Sequence, residues 1–152
     1  MHYYIIFPSL TNRLQRVQNC AARLMTRIRK GEHITQVLFR LHWLPVRFRL
    51  FYKILFLTFK VLNGTAPVYL SDLIETYISL KMLQSESYSL LRVPRSHTAI
   101  YGGVSFQASA PRLWNELQNQ INLAASRNVF CKVLKIHLFK LANYNIKPVS
   151  CV

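Results

Sequence analysis

Between residues 12 and 30 apolar side chains return every three or four positions, at Leu14, Val17, Ala21, Leu24, Met25 and Ile28. That period marks one face of an α-helix. Thr11 or Asn12 can cap its start, and Gly31 can follow its end. Arg13, Arg16, Arg23, Arg27 and Lys30 repeat at the same period roughly 120° from the apolar centre, with Cys20 among them. The pattern predicts a helix that packs on its apolar side and offers a stripe of five cations to a partner.

Further along, Thr35 can cap a short helix through Leu41, with Ile34, Val37, Leu38 and Leu41 turned inward. Pro45 suits the first position of a long helix, where a missing N–H costs nothing. That helix runs to about Asn63, with Gly64 as its stop, and is apolar nearly all round, so it is expected at the centre of the domain. Its Arg47, Arg49, Lys53 and Lys60 argue against a membrane span. A span needs about 20 predominantly apolar residues, and a charge near the midplane costs at least about 2.5 kcal/mol. A short helix follows over 68–75, opened by Ala66-Pro67.

From 77 to 89 periodicity fades into serines, as in a flexible connection. Residues 90–94 and 99–106 have the β-branched and aromatic look of two short strands, the second broken by Gly102-Gly103. Pro111 is expected to open a helix bearing Leu113, Trp114 and Leu117. Ser126 caps a last one with Phe130, Val133, Leu134, His137, Leu138 and Leu141 on its buried side. The expected fold is mostly α, a small helical domain with one short β-hairpin at about 90–106. Its parts are a lead-in over 1–12, a basic helical subdomain over 13–76, the connection over 77–89, the hairpin with C-terminal helices over 90–142, and a tail over 143–152.

Composition sharpens the functional side. The chain has 152 residues, half of them hydrophobic, which suffices for one domain with a core. Lys and Arg number 20 against 5 Asp and Glu, a formal charge of +15, which points to a polyanionic partner. The carboxylates are Glu32, Asp72, Glu75, Glu86 and Glu116, and only Asp72 and Glu75 are close in sequence. A two-metal nuclease or polymerase needs carboxylates converging on ions about 4 Å apart, so catalysis by this chain is not expected. Cys20, Cys131 and Cys151 are odd in number and show no zinc spacing, as for reduced thiols in an intracellular protein, cytoplasmic or nuclear. The opening MHYYIIFPSL lacks the basic start and cleavage site of a signal peptide.

Four blocks resemble the region downstream of the polymerase core in LINE-type (non-LTR) retrotransposon reverse transcriptases. They are LQRVQNCAARLMT (14–26), HITQVLFRLHWLPVRFRLFYKILFLTFKVLNGTAPVYLSDLI (33–74), LLRVPRSHTAIYGGVSFQASAPRLWNELQNQI (90–121) and FCKVLKIHLFKLA (130–142). LHWLPVR and APRLWN are the most specific strings, and together the blocks span most of the chain. The resemblance implies the carboxy-terminal segment of a polyprotein whose endonuclease and polymerase lie upstream, so no catalytic residue carries over. Departures are Gln118 after Leu117, where the family has Leu-Pro, Val104 at a usually basic site, and Cys131 in place of Lys.

The expected function is therefore a nucleic-acid-binding accessory that holds RNA or DNA beside the polymerase portion of the parent protein. It would need no cofactor, metal, membrane or small-molecule substrate. The candidate contacts are Arg13, Arg16, Arg23, Arg27 and Lys30, extended by Arg47, Arg49 and Lys53, whose aliphatic stems can equally cover the core edge. Arg92, Arg95 and Arg112 form a looser cluster. His33, His42, His97 and His137 are scattered, as structural histidines are, and Trp43 and Trp114 read as core anchors, although His42-Trp43 could stack on an unpaired base. The alternative is a structural packing segment or a remnant without activity, which would expose an apolar patch involving Tyr3, Tyr4, Ile5, Ile6 and Phe7.

Overall fold

The computed structural model describes residues 8–29, 31–77, 90–95, 102–117, 121 and 126–144. They are mostly helical: α1 (Pro8–Thr26), α2 (Ile34–Arg40), α3 (Val46–Leu62), α4 (Val68–Ser71), α5 (Phe106–Asn115) and α6 (Arg127–Tyr144). Most of the connection over 77–89, the patch over 3–7 and most of the tail lie outside the described residues.

The central helix follows the sequence closely. α3 carries Phe51, Leu55 and Phe59 into a core shared with Leu113 and Trp114 of α5 and Phe130, Leu134 and Leu138 of α6. The Phe59 and Phe130 rings stack 4.2 Å apart, with Trp114 tilted 6.0 Å from Phe130. Gly64 ends α3 at φ +65°. Its N–H reaches the Val61 carbonyl at 3.1 Å and that of Thr65 reaches Lys60 at 2.9 Å, the paired bonds of a Schellman stop. α2 ends the same way without a glycine. His42 adopts φ +54°, and the N–H groups of His42 and Trp43 bond to Phe39 at 2.9 Å and Leu38 at 2.8 Å.

α1 departs from its pattern on three points. It starts at Pro8, whose missing N–H is tolerated in a first turn, and it stops at Thr26, where Arg27 takes φ +53°, well short of Gly31. It is also turned the other way. Leu14, Val17, Leu24 and Met25 are exposed, while Gln18 and Ala22 are buried. The cause is hydrogen bonding. Gln18 Nε2 donates to the Leu44 carbonyl at 2.9 Å, and Gln15 Oε1 accepts from the Val46 N–H at 2.9 Å. Gln15 thus satisfies a first-turn donor of α3, where Pro45 precedes the helix and offers no side-chain cap. Gln15 also donates to Gln18 and Asn19 at 3.0 and 2.9 Å. Ala22, whose methyl group is too small to hold α2 away, forms a small second core with Val37 and Leu38.

The hairpin expected over 90–106 is not formed among the described residues. Leu91 bridges Thr76 instead, with Tyr77 N–H to Leu90 O at 2.8 Å and Arg92 N–H to Glu75 O at 2.9 Å. On its other side Asn115 acts as a surrogate strand. Its Oδ1 accepts from the Leu91 N–H at 2.9 Å and its Nδ2 donates to the Leu91 carbonyl at 2.8 Å. With both edges satisfied, residues 90–92 have no ladder left for the second predicted strand. Residues 96–101 of that expected hairpin lie outside the described residues, and beyond them Gly102–Val104 forms a 3-10 turn and α5 begins at Phe106. Pro111 therefore lies inside α5 and does not open it.

The remaining differences are local. α4 is a single turn ending at Ser71, and α2 starts at Ile34 with His33 before it, so Thr35 is inside the helix. Ser126 does cap α6, its Oγ accepting from the Val129 N–H at 3.4 Å. Val133 is exposed on α6, and His137 is half-buried. Burial and then the neighbouring Lys140 hold the His137 imidazole below its ordinary pKa range.

Candidate nucleic-acid interface

Arg13 and Arg16 are exposed on α1. Arg23 is not available in the same way, because its Nη1 donates to the Arg29 carbonyl at 3.0 Å and its Nη2 to that of Glu32 at 3.4 Å. Arg27 is exposed but sits past the helix in the left-handed region, and Lys30 lies outside the described residues. The five-cation stripe is thus not one helix edge. Its helical part runs through Arg13, Arg16 and Arg23, and it borders the exposed apolar row.

On α3 the predicted extension divides. Arg47 lies over the buried Phe51 ring, 5.4 Å from its centroid, and covers the core edge. Arg49 and Lys53 stand on another face, in register with Phe56 and Lys60 at spacings of four, three and four. Arg49 lies 5.9 Å over Trp43, so this half-buried ring serves both the α1–α2 core and a cation. Trp114, by contrast, is wholly a core residue.

Beside that face runs an edge of α6, and sequence reading did not join the two. Tyr52 and Phe56 stack at 6.3 Å with an interplanar angle of 8°. Lys60 lies 5.8 Å and Arg127 5.3 Å from the Phe56 centroid. Lys135 lies 5.9 Å over Phe139, which meets His42 edge-on at 6.5 Å. Burial first, then a hydrogen bond and a charge interaction with Cys131, push the Tyr52 hydroxyl up to about 12 against the lowering pull of Arg127. It therefore stays protonated at neutral pH. His42, Leu44, Arg49, Tyr52 and Lys135 line an open cavity of about 290 Å³ at one end of this groove.

Alternating cations and ring faces, with no acid anywhere in α3 or α6, suit a chain of phosphates bearing unpaired bases. In such a strand the phosphates would pair with the cations and the bases would stack where a ring face is open. Lys60, Arg127, Lys135, Tyr52 and Phe56 are the members that sequence reading missed. The spacing of Arg49, Lys53, Phe56 and Lys60 was a usable signal, but the α3–α6 pairing was not.

Of the looser cluster, Arg92 is paired with Glu75 at 2.9 Å on the surface. Among the described residues, no group of three or more His, Cys, Asp or Glu side chains comes together to hold a metal. Nor is any described helix long and apolar enough to cross a membrane. No known protein family, curated protein or solved structure matches the chain.

Proposed function

We propose that this chain is a non-catalytic, nucleic-acid-binding segment of a retrotransposon reverse-transcriptase-type protein, working inside the cell, in cytoplasm or nucleus. It holds single-stranded RNA or DNA for the polymerase portion of its parent and needs no cofactor or small-molecule substrate. The four resembling blocks and the charge of +15 support the reading. The observation that carries it is the α3–α6 groove, where Arg49, Lys60, Arg127 and Lys135 each lie over an aromatic ring. Arg13 and Arg16 supply a second, purely ionic contact.

Fluorescence anisotropy with a labelled single-stranded oligonucleotide at rising salt tests this. Affinity should fall with a log–log slope of about −0.7 per phosphate neutralised. Changing Arg49 and Lys135 together to Ala should weaken binding by tenfold or more, and Phe56→Leu should weaken it with little change of salt slope. Binding that ignores all three changes sinks the groove assignment.

A second reading, a packing segment with no binding activity of its own, is favoured by the apolar row that α1 leaves in solvent. It predicts no measurable affinity for any oligonucleotide.

A further inference from the structure

The exposed row on α1 has a definite spacing. Leu10, Leu14, Val17, Ala21 and Leu24 follow one another at intervals of four, three, four and three. This is the repeat of 3.5 residues that keeps a narrow seam facing another helix. Leu10, Leu14, Val17 and Leu24 are 55, 54, 67 and 81% exposed, and the row is about 21 Å long at 1.5 Å per residue. We propose that this seam docks one amphipathic helix of a partner protein, apolar at matching intervals and acidic along one edge.

The two flanks of the seam set that chemistry. On one side stands Arg13, with Cys20 one heptad on and Arg16 beyond them, and α1 contains no acid. On the other side Gln18 is buried against the protein's own Leu44 carbonyl, so the body of the domain closes the middle of that flank and leaves Met25 exposed at its end. A docked helix therefore meets cations on one edge only, where coiled-coil partners place their complementary charges. The occupant is not a segment of this chain. Its five carboxylates are Glu32, Asp72, Glu75, Glu86 and Glu116, and they form no acidic helix edge.

A second copy would bring two charges of +15 together with no acid to meet Arg13. A bilayer is a poorer fit as well. Interfacial helices present a wide apolar face, commonly with aromatic residues, whereas this seam is narrow, non-aromatic and walled on one side by protein. The inference does not depend on the nucleic-acid reading.

The test uses the full chain and a labelled helical peptide with Leu at the seam positions and Glu at the flanking ones. Controls are the same peptide with Lys for Glu and a scrambled peptide of unchanged charge. Anisotropy should show the Glu peptide binding at least tenfold tighter than either control. Leu14→Ser with Val17→Ser, which leaves every charge in place, should abolish that binding. Arg13→Glu should shift preference towards the Lys peptide, while R49A/K135A should leave peptide binding unchanged. Equal binding of the scrambled peptide, or insensitivity to the serine variants, overturns the proposal. So does a peptide-free dimer in sedimentation, or capture by vesicles of equal phosphatidylcholine and phosphatidylserine, if the serine variants remove it.

Discussion

α3, α5 and α6 close on one another through Phe51, Phe59, Trp114, Phe130 and their aliphatic neighbours, whereas α1 is held to α2 and to the start of α3 by amides around one alanine. The first region hides large apolar area, and burial of that kind scales at roughly 25 cal/mol per Å². The second hides little, and net hydrogen bonds of about 1 kcal/mol each hold it in place. The difference teaches where each region can afford to meet a partner. The aromatic core leaves only its rim free, so the groove proposed to bind nucleic acid is built from side chains at that rim. α1 needs only its amide face for attachment, which leaves its apolar row and its arginines outward.

The contrast breaks first at Phe130. It is fully buried and stacked on Phe59, so Phe130→Ala should cost about 3–5 kcal/mol in a urea melt. A loss below 1 kcal/mol would show that α6 does not close the main core. Gln18→Ala should cost less, about 1–3 kcal/mol, because it strips the Leu44 carbonyl of a donor and opens the α1 attachment. Hydrogen exchange should then rise in α1 and α2 and stay slow in α3 and α6. Uniform exchange across all four would mean that the two regions unfold as one.

Sequence pattern served these regions unequally for the same reason. In α6 most of the apolar spacing coincides with the inward face, so Phe130, Leu134 and Leu138 were legible in the sequence although Val133 is exposed, and α3 was legible as the central helix from its apolar character alone. Gly64 and Ser126 were legible because their local chemistry needs no distant partner. In α1 the apolar period was read correctly as helical but assigned to the wrong side. Nothing in a single sequence tells that Gln15 and Gln18 will find the backbone around Pro45 some thirty residues on. The hairpin failed likewise, since the Asn115 amide that flanks Leu91 is 24 positions away. Of the candidate site, Arg13, Arg16, Arg49 and Lys53 were visible as exposed periodic cations, while their division between two surfaces was fixed only by tertiary packing.

His42 gives a smaller, opposite effect. A left-handed residue bearing a Cβ costs roughly 1 kcal/mol relative to glycine, and His42 holds that conformation at the mouth of the groove. His42→Gly should therefore raise stability slightly, by up to about 1 kcal/mol, while weakening oligonucleotide binding. If stability rises and binding is untouched, His42 is an ordinary helix stop and the groove does not extend to it.

The smallest expected effect discriminates best between the two orientations of α1. Were the apolar row packed inward, Leu24→Ser would remove a core leucine and cost several kcal/mol, by analogy with the 2–5 kcal/mol of a buried Leu→Ala. With Leu24 81% exposed, what remains is the difference in helix propensity, a few tenths of a kcal/mol. A thermal melt that barely moves supports the amide-held orientation, and with it the exposure of Arg13 and Arg16. A fall of 2 kcal/mol or more, the lower end of that core-leucine cost, would turn α1 over. The seam would then be core, and the α1 cations would have to be placed afresh.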